Sequence, residues 1–182
     1  MNVRTLCLSI LHEGEASGYD IRRMCTEGEF AYFVEASYGS IYPALARLED
    51  DGLVVSRVEQ QDGKPARKVY SITEAGRTAF VAELSGPLGE DVFRSPFLLF
   101  ARFVHLLPRD LVEARTNEFL QRSVEGLKRL DEAAADHECT PADRWVISYG
   151  RAVLTVAEQY FRTHMHELND MARAEPHRKA AE

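Results

Sequence analysis

The stretch that decides the fold is Ser37-Tyr38-Gly39-Ser40-Ile41-Tyr42-Pro43-Ala44-Leu45-Ala46-Arg47-Leu48-Glu49-Asp50-Asp51-Gly52. Within it, Ile41, Leu45 and Leu48 recur at steps of three and four residues, the period of a helix with one buried face. Gly52 follows that face directly and marks its C-terminal end. The sequence therefore predicts a helix here, with a polar edge exposed to solvent.

Two short runs rich in β-branched and aromatic residues follow, at 53–59 and 68–72. Asp62-Gly63 between them is a strong signal for a β-hairpin turn. Upstream, the patterns at 2–12 and 18–25 predict two further helices. Helices followed by a hairpin with a basic tip are typical of a winged helix-turn-helix, a module that commonly binds DNA.

The charge balance supports this interpretation only locally. The chain has 22 Lys and Arg against 29 Asp and Glu, a formal net charge of −7. From Arg57 to Arg77 the sign reverses, with five basic residues against three acidic ones. Because salt screens charge beyond about 10 Å, the local presentation of charge matters more for phosphate contact than the total.

The sequence gives no sign of export or of a membrane anchor. The longest apolar candidate, 97–107, contains Arg102 and His105 and has about half of the ~20 residues that a bilayer requires. The N-terminal residues have too short an apolar run for a secretory signal. Three scattered cysteines fit a reducing compartment without a disulfide framework. We therefore expect a cytoplasmic protein that does not span a membrane.

The second half of the chain has a helical period throughout. A boundary is predicted at Ser85-Gly86-Pro87-Leu88-Gly89, followed by helices over 97–107, 111–135 and 141–171. Thr140 and Pro141 suit the N-cap and first position of the last helix. The apolar stripe of that helix is too wide to be buried within a half of ~90 residues, which indicates a partner chain.

The predicted fold is therefore mainly α: a winged helix-turn-helix domain with a two-stranded β wing, followed by an all-α dimerisation domain. We expect the DNA-binding domain at residues 1–86 and a helical dimerisation domain, with a role in effector binding, at 87–171. Residues 172–182 are polar and are expected to form a frayed tail.

Four segments of the chain resemble the PadR family of bacterial transcriptional regulators, in the family's order and spacing over roughly residues 5–80. They are Gly18-Tyr19-Asp20-Ile21, Tyr38-Gly39-Ser40-Ile41-Tyr42-Pro43-Ala44-Leu45, Leu48-Glu49-Asp50-Asp51-Gly52-Leu53-Val54 and Arg67-Lys68-Val69-Tyr70-Ser71-Ile72-Thr73-Glu74-Ala75-Gly76. The helical remainder is similar, by helix pattern, to the long C-terminal dimerisation region of some members. Tyr38 departs from the family, where many relatives have proline.

The resemblance implies a homodimer, usually a repressor, that binds a palindromic double-stranded DNA operator and is released by a small molecule. The two winged helices would enter successive major grooves roughly one turn, ~10 bp, apart. The resemblance is compatible with phenolic acids or with hydrophobic drugs as effectors and does not distinguish between them.

By the same resemblance, residues of the predicted helix and hairpin are assigned to DNA. They are Tyr38, Ser40, Tyr42, Arg47, Lys64, Arg67 and Lys68. Alternatives stay open: Tyr42 could be a core ring, Arg47 could pair with acidic neighbours, and the hairpin cations could be merely solvated. Pro43 would interrupt a helix begun at Ser37 but is tolerated in a first turn begun at Ser40, so the start of the helix is also open.

An effector site is expected at aromatic residues of the second half. The candidates are Phe93, Phe97, Phe100, Trp145 and Tyr149, with Phe103 and Tyr160 nearby in the pattern. They could line an apolar pocket between the winged helix and the helical arm, although ordinary interface packing explains them as well.

Catalytic and metal chemistry have little support. The histidines are dispersed, and His164 and His166 point to different sides of a helix. His137 and Cys139, beside Asp136 and Glu138, fit a solvated loop better than a metal site. The sequence lacks a phosphate-binding loop, a nucleophile elbow and a CxxC pair. We expect no enzyme activity, no cofactor and no metal; the alternative function is a winged helix that binds protein instead of DNA.

Overall fold

The computed structural model describes residues 1–61, 63–136 and 139–173, apart from the side chains of Glu29, Gln61 and Lys64. The chain divides into two compact units, one from Met1 to Val92 and one from Phe93 onward. Helices dominate both units, and the strands all lie in the first, as far as the structure describes the chain. The predicted fold class is confirmed.

The first unit contains helices, a 3-10 turn and a small sheet. The helices are α1 (Val3–Glu13), α2 (Gly18–Thr26), α3 (Tyr38–Asp50) and α4 (Glu74–Leu84), and the 3-10 turn is Glu29–Tyr32. The strands are β1 (Ala16–Ser17), β2 (Val54–Gln61) and β3 (Lys64–Ile72). Asn2, Ser17 and Thr73 cap three of the helices through their side-chain oxygens.

The sheet is antiparallel in the order β1-β3-β2. β2 and β3 form the predicted hairpin, with Val54 opposite Ile72 and Glu59 opposite Arg67. Gly63 has φ of 71°, a conformation that glycine adopts without steric cost, whereas its predicted turn partner Asp62 lies outside the described residues. β1 was not predicted, because two residues are too short to show a strand pattern.

The core of this unit is built around α1 and α3. It takes Leu6, Cys7, Leu8, Ile10 and Leu11 from α1, and Ile41, Ala44, Leu45 and Leu48 from α3. Burial raises the pKa of the Cys7 thiol to about 12 and that of Cys25 to about 11. Both thiols are therefore neutral near pH 7 and act as small apolar side chains.

The start of α4 lies unusually close to the segment between α3 and β2. A Cβ atom added at Gly76 would lie 2.0 Å from the carbonyl oxygen of Leu53 and 2.8 Å from Cγ1 of Ile72. The same carbonyl accepts hydrogen bonds from the backbone N–H of Thr73 at 3.0 Å and from its hydroxyl at 3.1 Å. Only glycine at position 76 lets α4 begin against this backbone.

The second unit consists of helices. They are α5 (Pro96–Arg102), α6 (Arg109–Ala134) and α7 (Pro141–Met171), with a 3-10 turn at Val104–Leu106. Thr140 and Asp143 form a capping box with Pro141 in the first turn, as the sequence predicts for this helix start. The helix predicted over 97–107 is shorter, and Leu107 is extended because it precedes Pro108.

Small residues let α6 and α7 pack closely together. A Cβ atom added at Gly126 would lie 3.3 Å from Cδ1 of Leu154, and one added at Gly150 would lie 3.7 Å from Cδ1 of Leu130. Of the predicted tail, residues 174–182 lie outside the described residues. The described helices include none with the length and apolar character needed to cross a bilayer.

Replacing Gly76 with alanine should destabilise the first unit. The added methyl group would overlap the Leu53 carbonyl, and overpacking of this kind typically costs about 1–3 kcal/mol. Chemical denaturation followed by circular dichroism measures the loss. Gly89→Ala is the matched control, because nothing lies within 4 Å of a Cβ atom there; equal stability of the two variants would contradict the close approach.

Candidate nucleic-acid interface

Helix α3, which carries most of the residues assigned to DNA, begins at Tyr38, with Ser37 as its N-cap. The hydroxyl of Ser40 accepts from the backbone N–H of Ser37 at 2.9 Å and donates to its carbonyl oxygen at 2.9 Å. It also accepts from the Ser37 hydroxyl at 3.2 Å. These bonds use the one donor and two acceptor sites of the Ser40 hydroxyl, so its described role is to fix the start of the helix.

Pro43 lies inside α3, so the expected interruption of a helix begun at Ser37 does not occur. Proline removes a single donor, the one that would bond the carbonyl of Gly39 one turn earlier. Gly39 is exposed, so water can solvate that carbonyl in place of the missing N–H. The start at Ser37 is the register the structure adopts.

The buried face of α3 determines which residues remain outside. Ile41, Leu45 and Leu48 are fully enclosed, whereas the side chain of Tyr38 is 68% exposed. Tyr42 is half-buried, and its ring lies 5.0 Å from that of Tyr38. A Cβ atom at Gly18 would be 3.0 Å from the Tyr42 ring, so the glycine makes room for it.

Arg47 is exposed one turn beyond Tyr42. Two of its acidic neighbours pair elsewhere: Asp51 with Arg4 at 2.8 Å, and Glu49 with Lys68 at 2.6 Å. Within the described part of the chain, no carboxylate lies within 4.0 Å of Arg47. Its guanidinium is therefore open to an external anion.

The hairpin carries its cations on opposite faces. Lys68 Nζ donates to Glu49 at the C-terminal end of α3 and lies 5.1 Å from the centre of the Tyr70 ring. Arg67 pairs instead with Glu59, its cross-strand neighbour, at 2.9 Å. Adjacent residues of a strand point to opposite faces, which accounts for the separation. The Lys64 side chain lies outside the described part, so its assignment to DNA stays a prediction.

Carboxylates around the hairpin are a feature that the sequence did not reveal. The hydrogen bond from Lys68, and then that from Ser56, lower the pKa of Glu49. Arg57 and then Ser71 lower the pKa of Glu15 to about 2. Glu15 and Glu49 are 42 and 19 residues away from the cations they bind, so no local pattern could have indicated these pairs.

The candidate effector residues fall into separate groups within the second unit. Phe97 is buried between Phe119 and Phe161, with ring centroids at 4.0 and 5.0 Å, and Phe100 is 5.9 Å from it. Trp145 and Tyr149 stack on each other and are exposed. Phe161 follows Trp145 by sixteen residues of helix, about 24 Å, so one small ligand cannot touch both groups within one chain.

Phe93 is 83% exposed and lies outside both aromatic groups in the described ring contacts. For metal chemistry, His137 and Glu138 lie outside the described residues. The described ranges contain no cluster of three His, Cys, Asp or Glu side chains suited to a metal ion.

Comparison with known proteins places these features in a family context. Residues 7–82 match the model of the transcriptional regulator PadR-like family. The negative transcriptional regulator PadR of Bacillus subtilis is 33% identical over 117 residues, which are 63% of this chain and 63% of that protein. The chain thus matches somewhat less than two thirds of this relative's length.

Solved structures extend the similarity to both units. The structure of smu.1604c from Streptococcus mutans has a TM-score of 0.80 and 32% identity, covering 91% of this chain and 99% of that one. The PadR-like regulator BC1756 from Bacillus cereus has a TM-score of 0.75 and 28% identity, covering 91% and 94%.

Bacillus subtilis PadR shares the fold in two solved complexes. With operator DNA, the TM-score is 0.67 at 24% identity, covering 91% of this chain and 98% of that one. With p-coumaric acid, the TM-score is 0.61 at 23% identity, covering 92% and 98%.

The different burial of Tyr38 and Tyr42 predicts different effects on stability. Tyr42→Ala should lower the free energy of unfolding by about 1–3 kcal/mol, because it removes a half-buried ring packed against Gly18. Tyr38→Ala should lower it by less than about 0.5 kcal/mol, because that ring is exposed. Chemical denaturation measures both; a loss as large for Tyr38 as for Tyr42 would contradict the packing described.

Proposed function

Since the chain belongs to the PadR-like family of transcriptional regulators, we propose that it is a sequence-specific DNA-binding repressor, released from a palindromic operator by a small effector. The observation that carries this proposal is the outer surface of α3. Tyr38 and Arg47 are both open to solvent, and because nine residues separate them they lie on opposite flanks of a helix whose buried face is fixed in the core. An α-helix so presented has the size and shape to enter a major groove.

Contacts to DNA would divide between the helix and the hairpin. Tyr38 and Tyr42, near the N-terminus of α3, can contact base edges or the backbone, where helix N–H groups also attract phosphate. Arg47 can contact a base or phosphate, and Lys64, Arg67 and Lys68 can contact the minor groove or its backbone. The Ser40 hydroxyl would have to exchange a capping bond for a DNA contact. A related protein bound to operator DNA supports this class of function.

A homodimer is supported by the exposed surface of α7. In this 31-residue helix no residue is buried. An apolar stripe runs along it, with Trp145, Tyr149, Val153, Val156 and Tyr160 all more than half exposed. At 100° per residue these positions fall within an arc of about 80°, a narrow seam of the coiled-coil type. A second copy of the chain would cover this seam.

The proposal of repression and of release by an effector is supported by similar proteins and by the exposed aromatic residues of the second unit. The Bacillus subtilis relative is a negative regulator, and a protein of the same fold binds p-coumaric acid. Trp145, Tyr149 and Phe93 are exposed in one protomer and available to an aromatic ligand or to a partner. Phe97 and Phe100 would have to exchange ring contacts for ligand contacts.

A second candidate function is a winged helix that binds protein. The pairing of Arg67 and Lys68 with carboxylates favours it, because paired cations attract phosphate less. Retention on heparin or on a duplex at low salt, lost as salt rises, discriminates in favour of DNA.

The assignment of DNA contacts predicts two kinds of binding defect. Lys64→Ala should weaken binding to all duplexes alike and reduce the salt slope by about 0.9, the value for one phosphate contact. Tyr38→Ala should change which genomic fragments are preferred. Fluorescence anisotropy over a salt series, with fragments selected from the source genome, measures both effects.

Lys128→Ala is the control for this experiment, because it removes the same charge from an exposed position of α6. Identical effects of Lys64→Ala and Tyr38→Ala on random and selected DNA would contradict the division between helix and hairpin.

The seam on α7 predicts the effect of a charge on assembly. Val156→Asp should raise the dimer dissociation constant at least about tenfold, because an unpaired carboxylate would be buried between two chains. Light scattering coupled to size exclusion distinguishes twice 20.6 kDa from the single-chain mass. Thr155→Asp, exposed on another face of the same helix, should remain dimeric; dissociation of both variants, or of neither, would exclude the seam.

A further inference from the structure

The hairpin cations that the structure describes are bound by carboxylates of the same unit. Glu59 is bound on both oxygens. Arg57 donates to its Oε1 from Nε at 3.1 Å and Nη2 at 2.8 Å, and Arg67 donates to its Oε2 from Nε at 3.1 Å and Nη2 at 2.9 Å. One carboxylate thus holds two guanidinium groups by forked hydrogen bonds.

Glu15, in the segment that precedes β1, extends this network. Its Oε2 accepts from Nη2 of Arg57 at 2.6 Å, and its Oε1 accepts from the Ser71 hydroxyl at 2.5 Å. On the other face of the hairpin, Glu49 accepts from Lys68 and from the Ser56 hydroxyl. Among described side chains, three cations of the hairpin are matched by three carboxylates, and their formal charges cancel.

These ion pairs are open to exchange with an outside anion. The side chains of Arg57 and Arg67 are 51% and 46% exposed, and that of Glu59 is 30% exposed. Exposed pairs contribute little to stability, and water and salt reach them freely. A DNA phosphate that approaches either arginine therefore meets a guanidinium already hydrogen-bonded and a carboxylate that repels it.

Building on the proposed function, we propose that Glu59 is an intramolecular competitor of DNA phosphate for Arg57 and Arg67, and that it lowers the sequence-independent affinity of the hairpin for DNA. Both oxygens of Glu59 are occupied by the groups that a phosphate would bind. Because phosphate contacts carry no sequence information, the competition acts on operator and random DNA alike.

The expected effect of removing this charge is tighter binding. Glu59→Gln keeps the side-chain shape and one acceptor oxygen but loses the negative charge. Affinity for a random duplex should rise about threefold or more at ~0.1 M salt, the size of one charge repulsion at a separation of about 4 Å in water after partial screening by salt. The slope of log affinity against log salt should steepen by about 0.9 for each guanidinium released to phosphate.

The control variant is Glu74→Gln, which makes the same charge change in the same unit. The Glu74 side chain is 97% exposed and pairs with Arg77 at 3.8 Å, away from the hairpin cations. Its binding should match that of the unchanged protein. A second variant, Glu15→Gln, releases one of the two carboxylates on Arg57 and should tighten binding by a smaller factor.

A double-mutant cycle tests the competition directly. Arg67→Gln should weaken binding more in the Glu59→Gln background than in the unchanged protein, because only there is Arg67 fully available to phosphate. Fluorescence anisotropy with random and selected duplexes at ~50–200 mM salt measures every arm, and circular dichroism checks that each variant is folded.

The outcomes separate this inference from the function on which it rests. If the unchanged protein binds no duplex even at ~50 mM salt, the DNA-binding function fails. If it binds, but Glu59→Gln binds equally or more weakly, or no more tightly than Glu74→Gln, Glu59 merely positions the arginines and the inference is overturned. Tightening for selected DNA alone would also contradict it.

Discussion

The burial of Ile41, Leu45 and Leu48 of α3 against α1 is the interaction on which the rest of the first unit depends. Burial of an aliphatic side chain contributes roughly 1.5–3 kcal/mol, so three on one face hold the helix in a single rotation about its axis. That rotation leaves Tyr38 and Arg47 outside. The hairpin begins just after the end of α3. There the Leu53 carbonyl accepts hydrogen bonds from Thr73, the N-cap of α4, and so fixes where α4 begins.

The sequence could predict whatever is determined by neighbours along the chain. Apolar period predicts α1, α3 and α7, and Thr140 with Pro141 predicts the start of α7 to the residue. Two β-branched runs separated by Asp62-Gly63 predict the hairpin. In the structure Gly63 has a positive φ, as a tight turn requires. The two compact units divide between Val92 and Phe93, a few residues beyond the glycine and proline cluster at 85–89 where the sequence places the boundary.

What the sequence could not predict depends on distant residues or on the balance of two local effects. The pairs Glu15 with Arg57 and Glu49 with Lys68 join segments that only folding brings together. The start of α3 depends on a balance between the hydrogen bonds that Ser37 and Ser40 exchange and the one hydrogen bond lost at Pro43. Apolar periodicity carries no information about that balance. Trp145 and Phe97 are both aromatic residues in helical patterns, so the sequence alone does not distinguish them. Only the packing of the helices shows that Phe97 is buried against Phe119 and Phe161 whereas Trp145 is exposed.

Pro43 has a mechanical consequence for α3. Proline has no backbone N–H, so the carbonyl of Gly39 lacks its usual hydrogen bond from position 43. One of the backbone hydrogen bonds that join the first turn to the rest of the helix is therefore absent. The three enclosed side chains all lie at or beyond Ile41, while the serine pair closes the turn before it. The first turn, which carries Tyr38, is therefore joined to the rest of α3 by one backbone hydrogen bond fewer than in a regular helix, and the serine pair supplies the local bonds that hold it.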